Sequence, residues 1–137
     1  LEKIFSALEL EKLNQISSLE LAYVGDAVYE LAVRRHLIAR GVAGVNKLHR
    51  EAVKYVCADT QARVLMMLES KLNEEEIRVA RRGRNAKSGH APKGACVLSY
   101  RQSTGLESLI GYLFLKGFTE RLELIMGYVI NIIENAD

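Results

Sequence analysis

"SLELAYVGDAVYELAVRRHLIAR", residues 18 to 40, decides the fold class. Ser17 stands just before it and Glu20 follows three residues later, the spacing of a capping box that opens a helix. The helix predicted from this stretch runs to about Arg40 and stops at Gly41. Its apolar positions (Leu19, Ala22, Tyr23, Val24, Ala27, Val28, Leu31, Val33 and Leu37) cover most of the circumference until Arg34 and Arg35. A helix apolar nearly all round reads as a central, buried one. Asp26 interrupts it on the face of Ala22, Tyr29, Glu30 and Val33, with no basic residue within four positions. A carboxylate on a buried stripe needs a partner: a side chain brought by the fold, a metal ion, or a water network.

Helical periodicity continues outward, and no alternating strand pattern stands out. Asn46 is expected to cap a helical stretch carrying Leu48, Ala52, Val53 and Val56, with a break near Ala58 before Ala62, Leu65 and Met66. Asn73 and Glu76 form a second capping box, and the acidic run Glu74, Glu75, Glu76 suits the positive end of a helix dipole. That helix is expected to end near Gly83. Residues 83–95, "GRNAKSGHAPKGA", hold three glycines and the only proline, and read as an exposed loop. Another helix is predicted over 97–116, and a last one capped by Thr119 with Leu122, Ile125, Val129, Ile132 and Ile133 inside. The expectation is an all-α, single-domain bundle of five to seven helices spanning residues 1–137.

A chain of 137 residues is long enough to bury one core without staples. With 49% hydrophobic residues and one proline it is globular rather than disordered. Cys57 and Cys96 lie far apart without CxxC or Cys/His spacing, which excludes a zinc motif and a disulfide framework and fits a reducing cytosol. Cys57 is expected to be a small buried hydrophobe. No apolar run reaches the length of a membrane span, and the first residues do not read as a signal peptide. The net charge of +2 conceals an asymmetry. From residue 78 to 101 the sequence holds Arg78, Arg81, Arg82, Arg84, Lys87, Lys93 and Arg101 and no acid. Seventeen acidic residues against twelve basic ones make the rest negative. A cationic segment on an acidic body points to a polyanion, and arginines among Gly, Ser and Asn (Asn85 included) approach phosphates closely.

The second isolated acid is Glu107, in "STGLESLIGYLFL". Its helical neighbours three and four residues on are Ile110 and Gly111, so again an acid in an apolar helix lies beside a glycine. A mid-helix glycine costs roughly 1 kcal/mol against alanine, and two of them beside two isolated acids call for a reason. If the helices cross at Gly25 and Gly111, Asp26 and Glu107 face one another. Two like charges in a partly dry site repel unless a divalent cation lies between them, and oxygen ligands favour Mg²⁺ or Mn²⁺ over zinc. Two structural explanations stand beside this one. Glu107 closes a capping box if a helix begins at Thr104, and Asp26 pairs with an arginine from elsewhere. Glu20 reads as a cap and Glu30 as an i,i+4 partner of Arg34. His36, His49 and His90 have no ligand-like companions in the sequence.

"LAYVGDAVYELAVRRHL" resembles the signature helix of the ribonuclease III family, and "LESLIGYLFLKG" resembles its second acidic motif. The likeness extends over most of the chain between residues 17 and 135, and "RRGRNAKSG" is similar to the hallmark of the compact bacterial branch called Mini-ribonuclease III. The resemblance implies a helical bundle of the ribonuclease III endonuclease-domain type without an appended double-stranded-RNA-binding domain. It implies Asp26 and Glu107 as catalytic, metal-binding carboxylates. The family's other two acids fall at Ala22 and Thr104, so water and substrate phosphate are expected to complete the coordination of Mg²⁺ or Mn²⁺. The implied activity is metal-dependent hydrolysis of double-stranded RNA to 5′-phosphate and 3′-hydroxyl ends by a cytoplasmic homodimer. The implied substrate is the precursor of 23S ribosomal RNA, bound mostly by shape. Arg78, Arg81, Arg82, Arg84, Asn85, Lys87, Lys93 and Arg101 are the expected RNA-binding residues. Two rivals remain open: a non-catalytic RNA-binding relative with the same fold, and a helical domain whose basic loop binds an acidic protein.

Overall fold

A computed structural model describes residues 1–86, 93–94 and 96–136. Among them are seven α-helices and no strand. In chain order these are α1 (Leu10–Leu13), α2 (Ser18–Ala39), α3 (Val45–Val56), α4 (Ala58–Leu68), α5 (Glu74–Asn85), α6 (Val97–Lys116) and α7 (Thr119–Glu134). A 3₁₀ turn, Glu69–Lys71, follows α4.

Both predicted capping boxes form. Glu20 N donates to Ser17 Oγ at 3.1 Å while Ser17 N donates to the Glu20 carboxylate at 2.9 Å. Asn73 and Glu76 exchange the same pair of bonds, each 2.9 Å, at the start of α5. Elsewhere the boundaries differ from expectation. Asn46 is not a cap: α3 begins at Val45 behind Gly44, whose φ of 92° turns the chain into the helix. Thr119 is the first residue of α7, with Phe118 at the cap position and no side-chain cap bond. The break between α3 and α4 falls at Cys57, whose extended backbone leaves its thiol exposed rather than buried, 3.1 Å from Thr60 Oγ1. The predicted end of α5 at Gly83 is two residues short, because the helix runs on to Asn85. Residues 83–85 of the expected loop are therefore helical, and positions 87–92 and 95 lie outside the described residues.

The central helix is α6, not α2. It packs against α1, α2, α4, α5 and α7, and Leu106, Leu109, Ile110 and Leu113 on it are fully buried. Burying each of these side chains contributes about 1.5–3 kcal/mol. By contrast α2 buries one stripe, Ala22, Gly25, Tyr29, Val33 and Leu37. On its outer side Tyr23 is 82% exposed and Leu31 and Ile38 are each 64% exposed. The apolar pattern of α2 thus supplies two faces, only one of which this chain covers.

Polar ties fasten the remaining helices. Arg121 of α7 donates two 2.7 Å bonds to the buried Glu76 carboxylate and a 2.8 Å bond to the Lys71 carbonyl. At the end of α7, Glu134 accepts from Arg40 Nη1 at 2.6 Å and Tyr55 Oη at 2.7 Å, with His36 Nε2 also at 2.6 Å. That one carboxylate links α7 to α2 and α3. Among the described residues, no helix is long and apolar enough to cross a membrane.

Candidate active site

The two isolated acids meet because two glycines let their helices touch. A Cβ placed on Gly25 would collide with the Glu107 carbonyl, and one on Gly111 with the Leu21 carbonyl. No side chain fits between α2 and α6 at this crossing, so the residue after Gly25 and the residue whose carbonyl faces Gly25 are brought together. Asp26 is near enough to the Glu107 carboxyl to disfavour its charged form. Burial first, and then this acidic neighbour, push Glu107 up from an ordinary 4.5 to about 8. Asp26 itself is exposed rather than buried with the stripe of α2 it borders, so the pair opens to solvent.

Neither structural alternative holds among the described residues. Because α6 begins at Val97, Thr104 lies about two turns inside it and caps nothing; its hydroxyl donates to the Tyr100 carbonyl at 3.0 Å. No salt bridge reaches Asp26 or Glu107. Glu20 acts as a cap, and Glu30 pairs with Arg34 at 3.1 Å. His36 is taken up by Glu134, His49 is exposed, and His90 falls outside the described residues.

Two neighbouring carboxylates with no cationic partner among the described residues suit a hard divalent cation. Among the described residues no three His, Cys, Asp or Glu side chains cluster to form a closed metal cage. Ala22 and Thr104 are buried, one turn from Asp26 and Glu107 along their helices, and contribute no charge. The donor set therefore fits an ion that keeps several of its waters, as Mg²⁺ commonly does.

Sequence reading missed Gln61 of α4. Its side chain is buried, its Oε1 accepts from the Ser103 hydroxyl, and its Nε2 has no hydrogen-bond partner among the described residues. It lies close enough to Glu107 to favour the charged carboxylate, against the larger effects of burial and Asp26. A signal was present: Gln61 stands four and seven residues before Leu65 and Leu68, which makes it the polar member of a core stripe.

The expected RNA-binding residues divide. Arg78, Arg81 and Arg82 stand on α5 as expected, and Arg84 and Asn85, expected in the loop, stand on it as well. Arg78, Arg81, Arg82 and Asn85 line an open groove of about 840 Å³ with Ser17, Ser18 and Leu19 at the start of α2. Arg78 pairs with Glu75, and Arg81 lies 3.8 Å from Glu69. Arg84 lines a smaller hollow between α4 and α5, its Nε donating to Asn85 at 3.3 Å. Lys93 and Arg101 are exposed, and Lys87 lies outside the described residues.

An all-helical bundle of this kind is the fold of the ribonuclease III class of nucleases. Residues 19–117, which include both acids, match the family model described as Ribonuclease III domain. Proteins named Mini-ribonuclease 3 are similar over most of the chain. That of Clostridium tetani is 45% identical over 99% of this chain and 92% of its own. Those of Symbiobacterium thermophilum and Desulfitobacterium hafniense are 50% and 52% identical, over 86% and 80% of this chain and 91% and 69% of theirs. A crystal structure of a Fusobacterium nucleatum protein superimposes with a TM-score of 0.77 at 29% identity, covering 88% of this chain and 96% of that one. The chain belongs to the ribonuclease III family, in its Mini-ribonuclease 3 branch, and is an endoribonuclease.

Proposed function

We propose that Asp26 and Glu107 are the catalytic carboxylates and together hold Mg²⁺, or Mn²⁺, during hydrolysis of phosphodiester bonds in double-stranded RNA. The observation that carries this reading is the pairing itself: two acids from different helices lie together without a basic partner among the described residues, one open to solvent. When bound, the cation would activate water and stabilise the leaving oxygen, and Mg²⁺ supplies that chemistry without redox steps. The protein's share is to hold two anionic ligands at a fixed separation on rigid helices. The buried residues Ala22 and Thr104 leave positions for water and substrate phosphate.

The α5 groove and the exposed Lys93 and Arg101 would meet the phosphate backbone, with Lys87 as a further contact. A-form RNA presents phosphates and 2′-hydroxyls across a shallow minor groove, which suits recognition by shape. The uncovered apolar side of α2 (Tyr23, Leu31, Ile38) supports assembly as a homodimer of one catalytic domain per chain, each copy cutting one strand. The biological substrate on this reading is precursor 23S ribosomal RNA in the cytoplasm. Incubating the purified chain with duplex RNA, with and without Mg²⁺, tests the reading. Metal-dependent cutting of duplex but not single strands is expected, and a chain that binds duplex RNA yet never cuts it would instead be a non-catalytic relative. Sedimentation should give twice the mass of one chain; a monomer that still cuts both strands would remove the dimer from the reading.

A further inference from the structure

Gln61 is 1% exposed, yet its amide nitrogen has no hydrogen-bond partner among the described residues. A buried donor left open is unusual in a native fold, and it calls for a ligand, a water or a functional role. Its oxygen is already committed, to the hydroxyl of Ser103, which is itself buried. Ser103 stands four residues before Glu107 on α6, so the two side chains are neighbours on one face of that helix. With its oxygen held on Ser103, the amide leaves its nitrogen end open among the described residues, and Gln61 lies close enough to Glu107 to favour the charged carboxylate. The opposite orientation would set the amide oxygen against the carboxylate and is electrostatically unfavourable. A role in packing alone would be met by leucine or methionine in this stripe, with no open donor.

We propose that Gln61, anchored by Ser103, is a positioning residue for the acidic pair: its N–H₂ group holds the Glu107 carboxylate in the rotamer that faces Asp26 when a cation is taken up. This rests on the reading of Asp26 and Glu107 as the cation-binding pair. Gln61 touches neither the cation nor the RNA; it acts through Glu107, as the outer partners of metal ligands do elsewhere.

The test is Gln61→Met, which keeps the volume and removes both polar atoms, with Ser103→Ala as a second variant that keeps Gln61 but frees its amide. Mn²⁺ binding without RNA is followed by electron paramagnetic resonance, duplex-RNA affinity is measured in EDTA, and cleavage is measured across a Mg²⁺ series. On the proposal, Gln61→Met melts no lower than the parent and binds RNA equally. Its Mn²⁺ affinity falls about 10-fold or more, and kcat falls with little change in KM and recovers in part at high Mg²⁺. Ser103→Ala should shift the same quantities in the same direction by less. Parental Mn²⁺ affinity and kcat in both variants overturn the proposal and leave the acidic pair standing. Mn²⁺ affinity in the parent that Asp26→Asn does not change removes the pair and the proposal together. Should Gln61→Met fold poorly, Ser103→Ala alone decides: unchanged Mn²⁺ binding and Mg²⁺ dependence assign Gln61 to the core.

Discussion

Asp26 and Glu107 are chemically alike but differently placed, and the difference is measurable. Asp26→Asn should abolish cleavage while leaving thermal stability and duplex-RNA binding near the parent's; cutting at the parental rate would remove it from the catalytic pair. Glu107→Gln should retain slight activity at high Mg²⁺. In the unfolded chain Glu107 ionises near its ordinary 4.5, whereas in the fold it keeps its proton to about 8. Between those values the native state binds the extra proton, so this group's contribution to stability is full below pH 4.5 and is lost as pH rises to about 8. Melting temperatures in EDTA should fall across that window. Mg²⁺ should flatten the fall, and Glu107→Gln should erase it. The sequence offered the meeting of the two acids as one reading among three, conditional on a crossing at Gly25 and Gly111, since each acid has a glycine as neighbour in an apolar helix. Gln61 was not legible, because its meaning depends on Ser103, which is remote in sequence and joins it only through the packing of α4 on α6.

At the scale of helices, the α2–α6 crossing and the α5–α7 tie make separate demands. Gly25→Ala must force the two backbones apart, at a cost of about 1–3 kcal/mol or more, and should lower both melting temperature and cleavage. Arg121→Met leaves the Glu76 carboxylate, 2% exposed, without its counter-ion. Breaking a buried pair in this way costs about 3–5 kcal/mol, which urea unfolding would detect. Burial alone would raise Glu76, but the Arg121 hydrogen bonds and the Asn73 backbone N–H outweigh it and hold the group below 4.5. That part of the stability is present above pH 4.5 and is lost as the solution becomes more acid. On α5, neutralising Arg81, Arg82 and Arg84 should weaken duplex binding and flatten its dependence on salt, by about 0.9 in log–log slope for each phosphate that is no longer neutralised. An unchanged slope would remove them from the interface. The helix starts at Ser17 and Asn73 were located through the local side-chain bonds that seal them, and the start of α6 was located without one. The starts of α3 and α7 also have no such bond, and there Asn46 and Thr119 misled.

For the whole molecule, periodicity identified the all-helical class but misplaced the centre. Two helices carry an all-round apolar pattern, and the pattern alone does not say which of them the bundle surrounds. It surrounds α6 and leaves the outer side of α2 exposed. The two ends of the chain are also secured unequally. The short α1 has no buried residue, and the first residues are held chiefly by one 2.9 Å bond from Leu8 N to the Leu115 carbonyl and an edge-on packing of Phe5 against Phe114. The far end is moored by the three-way grip on Glu134. Stretched between its termini in an optical trap, the molecule should therefore peel from the front at low force. The main rupture should come only when that rear anchorage tears away.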